Sequence, residues 1–363
     1  MKQEIRSLTY EELQEMLGTL GEKPFRAGQI YEWVHQKLAS SFEEMTNLSK
    51  PLRAKLAEAF VLEDVKEVTR QVSALDGTTK FLFALSDGAL IESVLMRYHF
   101  GNSVCISSQV GCRMGCRFCA STIDGLDRSL TAGEMLGQIY GIQKLTGERV
   151  SNVVVMGSGE PLDNYENLVR FIRMLSDERG LHISQRNITV STCGLTQNIR
   201  RLADEKLQIT LAISLHAPND EIRKTLMPVA NSYTIDEVLE AVRYYLDQTG
   251  RRVTFEYSLI EGVNDSQANA AELAHRLSGL LAHVNLIPIN PVRERNYRHS
   301  ADARIQAFKN CLEKQGINVT IRREMGSDID AACGQLRRRF AGSDGGNGES
   351  FHPGETPENC RTS

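Results

Sequence analysis

Three cysteines carry the first chemical signal in this chain: Cys112, Cys116 and Cys119, in the run GCRMGCRFC, stand at CxxxCxxC spacing. Thiolates this close in sequence can converge on one metal centre, and soft sulfur ligands select zinc or an iron–sulfur cluster. A structural zinc site is closed and tetrahedral, so it needs a fourth Cys or His at similar short range. None follows: the next His is His182 and the next Cys is Cys193. Three thiolates without a fourth suit a 4Fe–4S cubane that leaves one iron open to a small ligand. A zinc knuckle completed from a distance, or a trio of reduced core cysteines, are the alternatives at this point.

Other residues with chemical potential lie further along. GSGEP at Gly157–Pro161 follows the apolar run NVVVM. Glycines such as Gly159 let a backbone approach a ligand closely, and the Glu160 carboxylate can accept from an ammonium group. Ser191, Ser214, His216 and Asn290 fall where strand-like runs end, within reach of a ligand held there. Taken singly, each reads as a turn or cap residue, and His216 as a satisfied buried histidine. Cys333, in DIDAACGQL, and Cys105, seven residues ahead of Cys112, read from composition as inert core thiols. Alternation makes Glu92, in ALIESVLM, a solvent-facing strand residue.

These residues need a scaffold. From Ser103 onward, strand-like runs (VCISSQ, NVVVMG, NITVST, QITLAISLH, VTFEYSLI, HVNLIPIN, INVTIR) alternate with helical stretches such as TAGEMLGQIYGIQKL. Repeated βα units imply a parallel sheet with right-handed crossovers, and about six of them predict an α/β fold with a partial (β/α)6 barrel. Chemistry in such folds sits beyond the carboxyl ends of the strands, where the cysteine loop, GSGEP, STCG, SLHAP and the Asn290 region fall. Ahead of this core (residues 99–340), residues 1–60 read as a small helical module. Thr9 and Glu12 form a capping box before EELQEMLGTL, and FRAGQIYEWVHQKL and NLSKPLRAKLAEAF follow. Its Lys23, Phe25, Arg26, Tyr31 and Trp33 could contact RNA, but such residues more often close a small core and coat its surface. Residues 61–98 read as a β-hairpin extension, with turns at Asp76-Gly77 and Asp87-Gly88. The stretch 341–363, rich in Gly, Ser, Glu and Pro, is expected to be disordered.

Composition excludes several classes. With 41% hydrophobic and 24% charged residues in 363, the chain is an ordinary globular protein. It has no apolar run long enough for a membrane helix, and its N-terminus has no signal-peptide pattern. Eight cysteines without a secretory signal point to the cytoplasm, where clustered thiols serve metals or catalysis. A net charge of −4 does not announce a nucleic-acid binder, although Arg322-Arg323 and Arg337–Arg339 are local basic runs.

Taken together, GCRMGCRFCAST, VVVMGSGEPLDNY, SLHAPND, LMPVA and DIDAACGQLR resemble the RlmN/Cfr family of radical S-adenosylmethionine (SAM) RNA methyltransferases. The likeness runs from the helical module to about Arg339. It implies a 4Fe–4S cluster on Cys112, Cys116 and Cys119, with SAM chelating the open iron and two SAM molecules used per turnover. Gly159, Glu160, Ser191, Ser214, Leu215, His216 and Asn290 would bind SAM. Cys333 would carry the methyl group, Cys105 would resolve the adduct as a transient disulfide, and Glu92 matches the position assigned as proton acceptor. The family's chemistry answers a physical difficulty: carbon 2 of adenine is electron-poor and no nucleophile, so a methyl-derived carbon radical on Cys333 adds to it instead. The implied partners are 23S ribosomal RNA at the peptidyl-transferase centre and transfer RNA next to the anticodon. An electron donor such as a flavodoxin or ferredoxin is implied too, acting on a cytoplasmic monomer without a membrane. Segments such as EKPFRAGQIYEW and INVTIRRE resemble the carbon-2 branch more than the carbon-8 branch. From another class, the competing reading is a zinc-containing RNA-binding module.

Overall fold

The computed structural model describes residues 2–289, 297–329 and 336–337. Asn290, Cys333, Arg338, Arg339 and the stretch from 341 onward lie outside the described residues. The chain opens with a two-residue strand, β1 (Gln3–Glu4), then helices α1 (Tyr10–Thr19), α2 (Arg26–His35) and α3 (Lys50–Ala59), and closes this module with β2 (Phe60–Val61). The capping box forms as expected: Thr9 Oγ1 accepts from the Glu12 N–H at 3.3 Å, and Glu12 Oε2 accepts from the Thr9 N–H at 2.9 Å. Leu13, Leu17, Ile30, Val34, Leu52 and Leu56 bury a core of the module's own. The parallel pairing of β1 with β2, Gln3 against Phe60, has no counterpart in the sequence pattern, because strands this short leave no periodicity.

Next come the antiparallel strands β3 (Lys66–Val72), β4 (Thr79–Ala84) and β5 (Leu90–Tyr98), turned at Asp76-Gly77 and Asp87-Gly88, with Gly77 and Gly88 in the left-handed region (φ 73° and 84°). Strand β6 (Gly101–Ile106) follows, then a small hairpin of β7 (Gln109–Gly111) and β8 (Leu126–Ser129). Thereafter strands and helices alternate: α4 (Ala132–Thr146), β9 (Val150–Val155), α5 (Tyr165–Ser176), β10 (Ile188–Thr192), α6 (Thr196–Asp204) and β11 (Thr210–Ser214). The rest comprises α7 (Asp220–Leu226), α8 (Ile235–Thr249), β12 (Val253–Leu259), α9 (Gln267–Leu277), β13 (Ala282–Pro288), α10 (Asp302–Lys314) and β14 (Asn318–Ile321). One ten-stranded sheet results, in the order β14-β13-β12-β11-β10-β9-β6-β5-β4-β3. Its strands run parallel from β6 to β14, linked by helical crossovers, which is the partial barrel. The antiparallel strands continue the same sheet beyond β6.

Alternation divides this sheet into two faces. Ile188 and Val190, Leu211 and Ile213, and Phe255 and Val284 pack into the main core with the helices. Their neighbours Thr189, Ser191, Ser214, Glu256, Ser258 and Asn285 point to the inner side. Helix α4 is buried nearly all round, since it lies between sheet and N-terminal module. Gly133, Gly137 and Gly141, at helical spacing, leave room for Glu4, Ser7 and Val65 to come close. The docking is polar as well: Ser7 Oγ accepts from the Gly133 N–H at 3.0 Å, His35 Nδ1 meets the Tyr140 hydroxyl at 2.7 Å, and Arg170 pairs with Glu12. Among the described residues, no helix is long and apolar enough to cross a membrane.

Candidate active site

The cysteine loop hangs between β7 and β8. At its root the Cys112 N–H donates to the Gly125 carbonyl at 2.8 Å. Gly111 has a left-handed φ of 77°, and a Cβ there would lie 2.1 Å from that carbonyl oxygen, so only glycine fits. Inside the loop the Thr122 hydroxyl donates to the Cys116 and Cys119 carbonyls, both at 3.0 Å, and the Arg117 N–H donates to Leu226 O at 2.8 Å, tying the loop to the end of α7. Cys112 and Cys116 are buried, and Cys119 is half-buried. Burial pushes the Cys112 thiol up to about 12, against a backbone hydrogen bond from Met114, and raises Cys116 too, with the neighbouring thiols second. Protons must therefore leave when these sulfurs take a metal.

GSGEP is stitched against the segment between β6 and β7. The Gly157 N–H donates to Ile106 O at 2.9 Å, the Ser158 carbonyl accepts from the Ser108 and Gln109 N–H groups, and the Ser158 hydroxyl donates to Gly111 O at 3.3 Å. A Cβ at Gly157 would meet Ile106 O at 2.7 Å, and one at Gly159 would meet the Gln109 Cβ at 2.6 Å. The chain itself comes close to both glycines, and both also line the cavity. Glu160 is buried, its Oε2 accepting from the Cys193 N–H at 2.7 Å and its Oε1 from the Leu162 N–H at 3.0 Å. Burial raises its carboxyl group, against the opposing pull of those donors.

Three more expected residues come from other strands. The Ser191 and Ser214 hydroxyls meet at 3.1 Å across β10 and β11. His216 takes a left-handed φ of 57°; its Nδ1 accepts from the Ser258 N–H at 2.9 Å, and Phe118 stands edge-on at 4.8 Å. Burial lowers His216 to about 3, so the ring is neutral and Nε2 carries its proton. It is both a satisfied buried histidine and a residue at the site. Cys112, Cys116, Cys119, Gly159, Glu160, Ser191, Ser214 and His216 all line one cavity of about 240 Å³. Leu215 is buried beneath it, its N–H donating to Glu256 O at 3.1 Å.

Cys105 and Glu92 sit one step along the sheet. Cys105 pairs with Val94, and Glu92 lies two residues from Val94 on β5, so both side chains leave the inner face. Glu92 is buried instead of facing solvent: its Oε2 pairs with Lys80 Nζ at 3.0 Å, and its Oε1 accepts from the Arg337 N–H at 2.6 Å. Alternation alone missed this, because β5 is covered on both faces. Glu92 lines a smaller pocket with Asp124, Ser158 and Arg337, and Ser121 borders this pocket and the main cavity alike.

Several lining residues had no place in the sequence reading: Glu256, whose Oε2 accepts from Asn285 Nδ2 at 2.9 Å, as well as Ser258, Cys193 and Met227. Glu256 and Ser258 do leave a trace, being the in-phase polar residues of an otherwise apolar strand. Arg322, from one of the local basic runs, also lines the cavity.

The donor set fits a polynuclear cluster. Three loop thiols lining one cavity are the donor set that a cubane takes. The Ser121 hydroxyl beside them is buried without a hydrogen-bond partner among the described residues, a polar vacancy that a ligand can fill.

Comparison with known proteins agrees. Residues 3–62 match the family described as ribosomal RNA large subunit methyltransferase N-terminal domain, and residues 106–274 match the radical SAM superfamily. A probable dual-specificity RNA methyltransferase RlmN from Lachnospira eligens is 64% identical over 93% of this chain and 96% of its own length. One from Clostridium novyi is 54% identical over 93% of this chain and 98% of its own. The crystal structure of a radical SAM methyltransferase from Sphaerobacter thermophilus superposes with a TM-score of 0.87 at 47% identity, covering 92% of this chain and 98% of that one.

Proposed function

The chain belongs to the RlmN family of radical SAM RNA methyltransferases, and from that premise we propose that it methylates carbon 2 of an adenine in 23S ribosomal RNA and in transfer RNA. The observation that carries this reading is the single cavity shared by the three loop cysteines, Gly159, Glu160, Ser191, Ser214 and His216. Cys112, Cys116 and Cys119 hold the 4Fe–4S cluster. Gly159, Glu160, Ser191, Ser214, Leu215, His216 and Asn290 bind SAM, Leu215 through its place under the cavity floor. When bound, cluster and SAM supply the one-electron chemistry that an electron-poor ring carbon requires.

The chain's own residues do the rest. Glu160, anchored by the Cys193 and Leu162 N–H groups, keeps lone pairs for an ammonium group. His216, fixed through Nδ1, presents an N–H and never a positive charge at neutral pH. Cys333 would accept a methyl group from one SAM and, through that carbon, would be joined to the adenine by the one-electron chemistry that a second SAM supplies. Cys105 would then attack the Cys333 sulfur, forming a disulfide as the sulfur–carbon bond breaks, and the freed carbon would take up a proton to become the methyl group. The ring proton goes to Glu92 or to the Cys105 thiolate; the pairing of Glu92 with Lys80, on the same face as Cys105, supports Glu92. The adenine must leave its stack to be reached. A flavodoxin- or ferredoxin-type donor supplies electrons, and the enzyme acts as a monomer.

Adenine carrying deuterium at carbon 2 of the RNA substrate tests the position. The expected product after digestion is 2-methyladenosine with the deuterium lost; 8-methyladenosine with the deuterium retained would overturn the carbon-2 assignment.

A further inference from the structure

Arg223, on α7, is fully buried, yet among the described residues no carboxylate forms an ion pair with it. Its Nη2 donates to the Cys193 carbonyl at 2.6 Å and its Nη1 to the Tyr233 carbonyl at 3.0 Å, while Nε is buried without a partner. The acidic group that acts on it is Asp220, on the first turn of the same helix. A guanidinium taken out of water with two carbonyls and no paired anion is costly. Such a charge makes physical sense where an anion is to arrive.

The candidate for that anion lies next to it. Cys116, Cys193, Leu226 and Met227 belong to one packed cluster, and the Arg117 N–H is bonded to Leu226, three residues along the helix from Arg223. Gly194, with a left-handed φ of 101°, lets the turn after Cys193 close over the guanidinium: a Cβ there would stand 3.3 Å from Nη2. The electrostatic coupling of Arg223 runs to Cys116 and Cys193. A cubane held by three thiolates is net negative, and taking up one electron makes it more so.

We propose that Arg223 is the buried counter-charge of the cluster, a positioning residue that raises the cluster's reduction potential by favouring the more negative, reduced form. This rests on the cysteine loop holding the cluster. The electron comes from the donor protein, or from dithionite in vitro, and no bond or proton at Arg223 changes.

Three variants separate charge from hydrogen bonding: Arg223→Gln keeps a donor for the Cys193 carbonyl without charge, Arg223→Lys keeps charge without the fork, and Arg223→Met keeps neither. Each is reconstituted anaerobically and titrated with dithionite while the reduced-cluster signal is followed by electron paramagnetic resonance. Arg223→Gln and Arg223→Met are expected to be at least tenfold harder to reduce, a shift of about 59 mV to lower potential for a one-electron couple. Arg223→Lys is expected to stay close to wild type. An unchanged potential in Arg223→Gln, or a fall in Arg223→Lys as large as in Arg223→Gln, would overturn the counter-charge role. If cluster loading itself fails, loss in Arg223→Gln with retention in Arg223→Lys supports the role. Loss in both variants, or in Arg223→Lys alone, makes Arg223 structural and refutes it. Iron and sulfide content of wild type and of Cys116→Ala tests the cysteine-loop reading separately.

Discussion

Val190 and Ser191 are neighbours on β10, and the pleat sends them to opposite sides of one sheet. Val190 joins Leu211, Ile213 and Phe255 in the buried hydrophobic core under the helices. Ser191 meets Ser214 over the cavity, on a face that continues through Glu256 and Asn285 to Thr320, whose hydroxyl donates to Asn285 Oδ1 at 3.1 Å. The outer face holds the sheet together by burial, which depends on volume and little on orientation. The inner face holds a ligand by hydrogen bonds, which depend on orientation and add little net stability. A change on one face should therefore move stability and leave chemistry intact, and a change on the other should do the reverse.

The widest separation is expected at the loop above the inner face. Replacing Cys112, Cys116 or Cys119 singly with Ala should abolish reductive SAM cleavage, read as 5′-deoxyadenosine formed by dithionite-reduced protein, while the circular dichroism spectrum stays that of the folded chain. Turnover persisting in any of the three would remove that residue from the ligand set.

A direct contrast comes next. Phe255→Ala on the outer face should cost about 3–5 kcal/mol of stability. The fraction that remains folded should bind SAM as wild type does. Ser214→Ala on the inner face should change stability by less than about 1 kcal/mol and weaken SAM binding by about tenfold. Calorimetric unfolding and equilibrium binding on both variants check this, and similar profiles would erase the distinction between the faces.

Much of this division is legible in the sequence, and the reason is local. ITVST and VTFEYSL alternate plainly, and a strand's side-chain period is fixed by its backbone. The capping box and the two Asp-Gly turns are local as well. Glu92 is not legible, because its burial depends on Lys80 one strand away and on Arg337 near the far end of the chain. Nor is the enclosure of α4, whose amphipathic pattern is blurred by a second partner on its outer side. Nor does the local sequence show the close packing of the chain on Gly157 and Gly159, which comes from the segment between β6 and β7.

Two buried histidines, one on each side, give a contrast that shows only in acid. His35, near Tyr140 of α4, and His216 are both lowered by burial from 6.5 to about 3. Below pH 6.5 the unfolded chain takes up protons that the folded chain refuses, so each should remove stability as pH falls from 6.5 towards 3. The slope should be about 1.4 kcal/mol per pH unit for each residue. His35→Gln and His216→Gln should each flatten the acid side of the melting-temperature profile, and only His216→Gln should also weaken SAM binding. A profile unchanged in both would mean that neither ring is neutral in the folded chain.

Cys105 tests most directly whether the inner face carries the chemistry. It lies on β6 beside Val104, which packs into the outer core, and composition alone would make the two equally inert. Cys105→Ala should begin the reaction without being able to finish it. Mass spectrometry of the reacted variant should then find RNA joined to the protein through Cys333, with little free methylated product. Free methylated RNA released at the wild-type rate, with no adduct, would contradict it.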